Sequence, residues 1–206
     1  MITLVHPGPG GLPALEGALA LLGYPCRVAR HPGEAAPAGP LLLASERPFD
    51  DGCAALKASG WWWELPQAAA GGRPLLGLGG GMHLLAEGSE ASPRGSGLAL
   101  LPGLARALGP GRPLSGWCPV RQVREHPGIP DVRGAWLHFH MTHALETGAL
   151  TLWAADHDRA FSVLEMRGRT LGLQARPEKS GAAGLAFLDK LLRALGASPA
   201  PGPGAN

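Results

Sequence analysis

The stretch that most constrains this chain is residues 74–85, "PLLGLGGGMHLL". Its apolar run at 75–78 reads as a buried strand that passes through Gly79, Gly80 and Gly81 into an apolar helix beginning at Met82. Consecutive glycines permit a turn and a close approach of strand to helix that side chains would block. That is the geometry of a nucleophile elbow, and equally of a plain packing joint between strand and helix. A phosphate cradle is a third reading, because N–H groups at a helix N-terminus attract anions. Against it, Gly77-Leu78-Gly79-Gly80-Gly81-Met82 lacks the last glycine of G-x-G-x-x-G, and no Gly-Lys-Ser/Thr follows.

The surrounding pattern favours a sheet with crossover helices. Residues 2–5 form a β-branched run ending at His6-Pro7-Gly8, and residues 12–22 then carry apolar side chains at helical spacing. Residues 41–44 read as a second buried strand and 50–63 as a helix, opened by Asp50 and Asp51 where a helix favours acids. Strand and helix therefore alternate in the first half, as in a parallel sheet. The second half is richer in strands, expected at 117–123, 135–140, 151–155, 161–166 and 170–174, before a last helix at 182–195. The fold class that follows is α/β, a central and mostly parallel sheet flanked by helices.

Length and charge narrow the function. The 206 residues suit one domain, taken as 1–196, followed by "ASPAPGPGAN" at 197–206, whose composition predicts a disordered tail. With 18 basic against 16 acidic residues and no run of like charge, neither nucleic acid nor an anionic membrane is an expected partner. Apolar runs are interrupted well short of a bilayer's thickness, and no basic residue precedes the first one, so the expected location is the cytoplasm. Cys26, Cys53 and Cys118 are too scattered for a disulfide framework or a zinc site. Neither cofactor nor metal is implied.

Residues 77–82 resemble the motif of class I glutamine amidotransferases, which is glycine, an apolar residue, the catalytic cysteine, any residue, glycine and methionine. Gly79 stands where the resemblance puts the cysteine. A second segment, "GLQARPEKS" at 172–180, is similar to the family's Gln-Phe-His-Pro-Glu-Lys-Ser. It keeps Gln174, Pro177, Glu178, Lys179 and Ser180, but has Ala175 for the aromatic residue and Arg176 for the histidine base. "SGWCPV" at 115–120, "GAWLHFHMTH" at 134–143 and "EKSGAAGLAFLDKLL" at 178–192 look like the glutaminase subunit of imidazole glycerol phosphate synthase in histidine biosynthesis. "EGSE" at 87–90 and "GLALLPG" at 97–103 resemble its link after the elbow helix, so the likeness runs in order over residues 2–195.

The resemblance implies a partner, the (β/α)8-barrel synthase subunit to which an active glutaminase delivers ammonia. It also implies a triad of which only Glu178 survives. Glycine offers no nucleophile, and an arginine guanidinium keeps its proton and has no acceptor lone pair, so Arg176 cannot act as base. The family's oxyanion loop, Leu-Pro-Gly-x-Gly, corresponds to residues 43–47, where Ala44, Ser45, Glu46 and Arg47 leave no glycine. His83 replaces a family glutamine. The chain is thus expected to be a binding or regulatory subunit in a heterodimer, a pseudoenzyme unable to hydrolyse glutamine.

An enzyme with relocated chemistry is the alternative. Cys118 lies near a strand carrying His138, His140 and His143, of which His138 and His140 would share one face. That group could supply a nucleophile that releases ammonia from glutamine or a related amide, or it could hold a metal. The plainer reading makes Cys118 a small packed residue and the histidines packed or solvated ones. Trp61, Trp62 and Trp63 point in different directions on a helix, so at least one is expected at the surface.

Overall fold

The computed structural model describes residues 1–7, 12–109 and 113–200, without the side chains of residues 93 and 94. In chain order the strands are β1 (Ile2–Val5), β2 (Cys26–Ala29), β3 (Leu41–Ser45), β4 (Leu75–Gly79), β5 (Gly88–Ser89), β6 (Ser92–Ser96), β7 (Leu104–Ala107), β8 (Leu114–Pro119), β9 (Arg121–Gln122), β10 (Trp136–Met141), β11 (His143–Leu145), β12 (Thr151–His157), β13 (Arg159–Arg167) and β14 (Thr170–Leu173). The helices are α1 (Pro13–Leu21), α2 (Phe49–Ser59), α3 (Trp61–Ala70), α4 (Gly80–Leu85) and α5 (Gly181–Ala194).

The main sheet has the order β2-β1-β3-β4-β14-β13-β12-β9. Its first five strands are parallel and its last three run antiparallel outward from β14. The change of hand follows from the connections. Helices link the early strands, whereas β12, β13 and β14 follow one another through tight turns. Both faces of the sheet are covered. Leu15 and Leu19 of α1 and Leu188 and Leu191 of α5 bury against one face. Leu56, Leu65, Met82 and Leu85 of α2, α3 and α4 bury against the other. The strands at the centre are mostly apolar for this reason, Leu41, Leu42 and Leu43 being at most 1% exposed.

Three expectations change. The helix expected at 50–63 breaks at Gly60, whose φ of +85° caps α2 in the left-handed conformation before α3 begins. The strand expected at 117–123 divides into β8, in a two-stranded ribbon with β10, and β9, at the edge of the main sheet. Residues 197–200, expected as the start of a disordered tail, lie against the domain. Ala197 is buried and the Ala200 N–H donates to the Gly23 carbonyl at 2.8 Å. The turn at Gly8 and the tail beyond residue 200 lie outside the described residues. Trp61 is buried, Trp62 packs under the Lys57 ammonium at 4.5 Å, and Trp63 is 64% exposed. Among the described residues no helix is long and apolar enough to cross a membrane.

Candidate functional site

The elbow is formed. β4 ends at Gly79 with φ +55° and ψ −120°, and α4 starts at the next residue. A side chain in that region of backbone space costs about 1 to 3 kcal/mol, which glycine avoids. The three glycines do different work. A Cβ on Gly79 would meet nothing within 4 Å, whereas one on Gly80 would sit 2.6 Å from the Ser45 carbonyl oxygen and one on Gly81 only 1.9 Å from that of Leu43. Close packing of α4 on β3 therefore requires Gly80 and Gly81. Gly79 is set by conformation alone.

Gly79 lies in the wall of a cavity of about 670 Å³. The parallel pairing of β14 with β4, with Leu173 opposite Leu78, carries the chain from Gln174 to Glu178 into the same cavity. Two segments separated by almost a hundred residues thus meet, as the resemblance implied. The segment after β14 is pinned to the ribbon. The Arg176 N–H donates to the His138 carbonyl at 2.9 Å, and the Ser180 hydroxyl accepts the His138 N–H at 2.8 Å while donating to the Arg176 carbonyl at 2.7 Å.

Arg176 does not point freely into the cavity. Its Nε donates to Glu178 Oε1 at 3.1 Å, and its Nη2 pairs with the Glu46 carboxylate from the opposite rim. The side chains of Arg176 and Glu178 are only 15% and 9% exposed, so this is a largely buried pair. Glu46, by contrast, is 64% exposed. Sequence reasoning identified residues 44–47 as altered but missed that an acid there faces Arg176. The appearance of opposite charges in two segments already known to converge was the available signal.

His83 lines the same cavity, its Nε2 2.8 Å from Gln174 Oε1. Because an amide oxygen only accepts, Nε2 carries the proton and Nδ1 holds the lone pair. Burial pushes the His83 pKa down to about 4; the Gln174 hydrogen bond pulls it up and the neighbouring His143 lowers it further. His83 is therefore neutral at pH 7.

The relocated nucleophile does not assemble. Cys118 lies on the core face of the β8–β10 ribbon with Leu137 and Phe139, its Sγ 3.6 Å from the Asp156 carbonyl. Burial raises its pKa, the opposite of what a nucleophile needs. The register puts His138 across from Trp117 and His140 across from Ser115. Residues directly opposite share a face, so both histidines occupy the outer face and Cys118 the inner one. His140 Nδ1 lies 3.1 Å from the Ser115 hydroxyl, and His143 Nδ1 lies 2.9 Å from that of Thr142. Among the described residues no group of three His, Cys, Asp or Glu side chains is placed to hold a metal.

Known proteins share this architecture. The fold superposes on a crystal structure of a glutamine amidotransferase with a TM-score of 0.74 at 17% identity, covering 95% of this chain and 98% of that one. It matches PurLQS from Thermotoga maritima with a TM-score of 0.71 at 14% identity over 94% and 95%. No family model matches the chain. In sequence it is 38% identical over 195 residues to imidazole glycerol phosphate synthase subunit HisH of Symbiobacterium thermophilum, covering 91% of each. It is 34% identical over 198 residues to that of Desulfitobacterium hafniense, covering 92% of each. Likeness of that extent, on the fold just described, shows that the chain belongs to the HisH family of glutamine amidotransferase subunits.

Proposed function

We propose that this chain is a HisH-like subunit that does not hydrolyse glutamine and acts as a binding or regulatory partner of a barrel-shaped synthase subunit. The observation that carries the reading is the pairing of an intact elbow with a glycine at its tip. Hydrolysis of an amide side chain by this family needs a thiolate to attack the carbonyl carbon and a base to take up and return the proton. At Gly79 there is no atom to attack with, and Arg176 is a permanent cation held between two carboxylates. Glu178, the remaining triad residue by resemblance, has its Oε1 on Arg176 and no imidazole to orient.

Association is supported by a surface rather than by the pocket. The outer face of the ribbon exposes Trp117 at 52% and Trp136 at 54%. The Trp117 ring edge lies 3.8 Å from where a Cβ on Gly181 would sit, so the retained segments 116–117 and 179–184 adjoin. Exposed aromatic side chains on one face are a common mark of a protein interface.

The purified protein, alone and with the barrel subunit of its own organism, is expected to release no glutamate from glutamine. Covalent labelling of any cysteine by an electrophilic glutamine analogue would overturn this, and labelling of Cys118 would restore the alternative. The two proteins are expected to co-elute at micromolar concentration, and separate elution would remove the partner.

A further inference from the structure

We propose that the pocket is a binding site for small carboxylates, in which Arg176 is the anion receptor and Glu46 is a displaceable internal occupant of it. The inference rests on the reading that this pocket no longer hydrolyses glutamine. The two acids on Arg176 are not equivalent. Glu178 holds Nε from a nearly covered position two residues along the chain, which fixes the guanidinium plane. Glu46 reaches Nη2 from the β3–α2 connection while most of its side chain remains in water. A carboxylate so exposed gives up little hydration by pairing and regains it on leaving. Arg176, 15% exposed, cannot recover water in the same way; when Glu46 leaves, Glu178 still holds Nε but Nη2 loses its acceptor.

The cavity behind this pair fits a short, mainly apolar body. Leu12, Leu15, Leu78 and Met141 contribute to its wall, with neutral His83, Gln174 and Thr142 among its polar lining. At its floor Gly79 leaves open the space a catalytic side chain would occupy. Lys179 and Arg47 also border the cavity, but both are exposed, so water competes at each more than at the covered, planar guanidinium of Arg176. Ligand and Glu46 would exchange on Nη2 with no change in net charge at the receptor.

Butyrate tests this, with butyramide as its uncharged counterpart, at constant ionic strength. Amide resonances of Gly79 and Gly80 in ¹⁵N-labelled protein report occupancy. Butyrate is expected to shift them saturably and butyramide to leave them in place. Glu46→Gln removes the internal competitor and should tighten butyrate by about two- to fivefold. Arg176→Gln should abolish the shifts and Arg176→Lys should weaken them, the dispersed spectrum of each variant reporting that it is folded. Equal binding of butyramide, no saturable shift, or an unchanged affinity in Glu46→Gln would each overturn the proposal. No glutamine is present in the titration. Glutamate formation by the wild-type protein would defeat the reading of inactivity and leave the butyrate result to be judged by itself.

Discussion

The elbow and the rim facing it have fared differently. At the elbow, β4, the left-handed Gly79 and the Gly80-Gly81 contact on β3 are all in place, with φ at +55° where a glycine is under no pressure to adopt one particular value. At the rim, the carboxylate of Glu46 stands on one loop and the guanidinium of Arg176 on the other, and the two meet across the cavity. The difference lies in what holds each region. The elbow is fixed by main-chain packing, since Gly81 could not acquire a side chain without separating α4 from Leu43. The rim is held by side chains, which can change without disturbing the sheet. The main-chain frame therefore stays fixed where the side chains around it are free to vary.

The sharpest way to break this contrast is to restore the chemistry. Gly79→Cys with Arg176→His completes the triad formally, and the open space at Gly79 admits the new side chain. Yet Ala44 and Ser45 are drawn into the sheet, opposite Leu78 and Gly79, where a loop able to present a backbone N–H to an oxyanion would be needed. Loss of one oxyanion donor lowers turnover by about 100- to 1000-fold. The double variant is expected to fall short by that factor of one that also carries Ala44→Pro, Ser45→Gly and Arg47→Gly, measured as glutamate release. Equal rates would show that the rim is not the obstacle.

The glycines sharpen the same contrast in stability. Gly81→Ala places a Cβ 1.9 Å from a backbone oxygen, and because the main chain cannot yield locally, α4 must move. The expected loss is above about 3 kcal/mol. Gly79→Ala meets no atom, and its loss is confined to backbone strain of about 1 to 3 kcal/mol. Urea unfolding of the two variants compares them directly. If Gly79→Ala proved the more damaging, the division of labour among the three glycines would be wrong.

Much of this was legible beforehand, for identifiable reasons. Central strands such as residues 2–5 and 75–78 announce themselves because both faces are buried and nearly every side chain is apolar, Thr3 excepted. β2 was missed because this edge strand, Cys-Arg-Val-Ala, buries only Ala29 fully and shows no clear period. The broken helix at Gly60 was missed because Trp61, Trp62 and Trp63 continue an apolar pattern that only a left-handed glycine interrupts. At the site, the convergence of residues 79 and 174–178 came from resemblance, not from spacing. The Arg176–Glu46 contact was readable only by setting the charges of the two converging segments side by side, and the depressed His83 pKa depends on burial that no local pattern encodes.

A pH-dependent effect concerns His83, which sits between the two regions, on the elbow helix but facing the rim. Its pKa falls from 6.5 to about 4, chiefly through burial. Between those values the unfolded chain carries a proton on this imidazole that the folded chain does not, so acid favours unfolding across that window. Stability from this group is complete above about pH 6.5 and declines as pH falls toward 4, by roughly 2 to 3 kcal/mol in all. His83→Gln keeps a donor for Gln174 and cannot titrate. Buried Glu165, whose pKa is raised by desolvation, acts with the opposite sign, and Asp189, held low by Arg193, adds acid sensitivity. Both are common to the two proteins and cancel in their difference. Urea midpoints at pH 7.5 and pH 4.5 should therefore converge in His83→Gln relative to the wild type. Parallel losses in both proteins would mean that the cavity wets His83 enough to protonate it freely, and that the wall between elbow and rim is more open than its geometry implies.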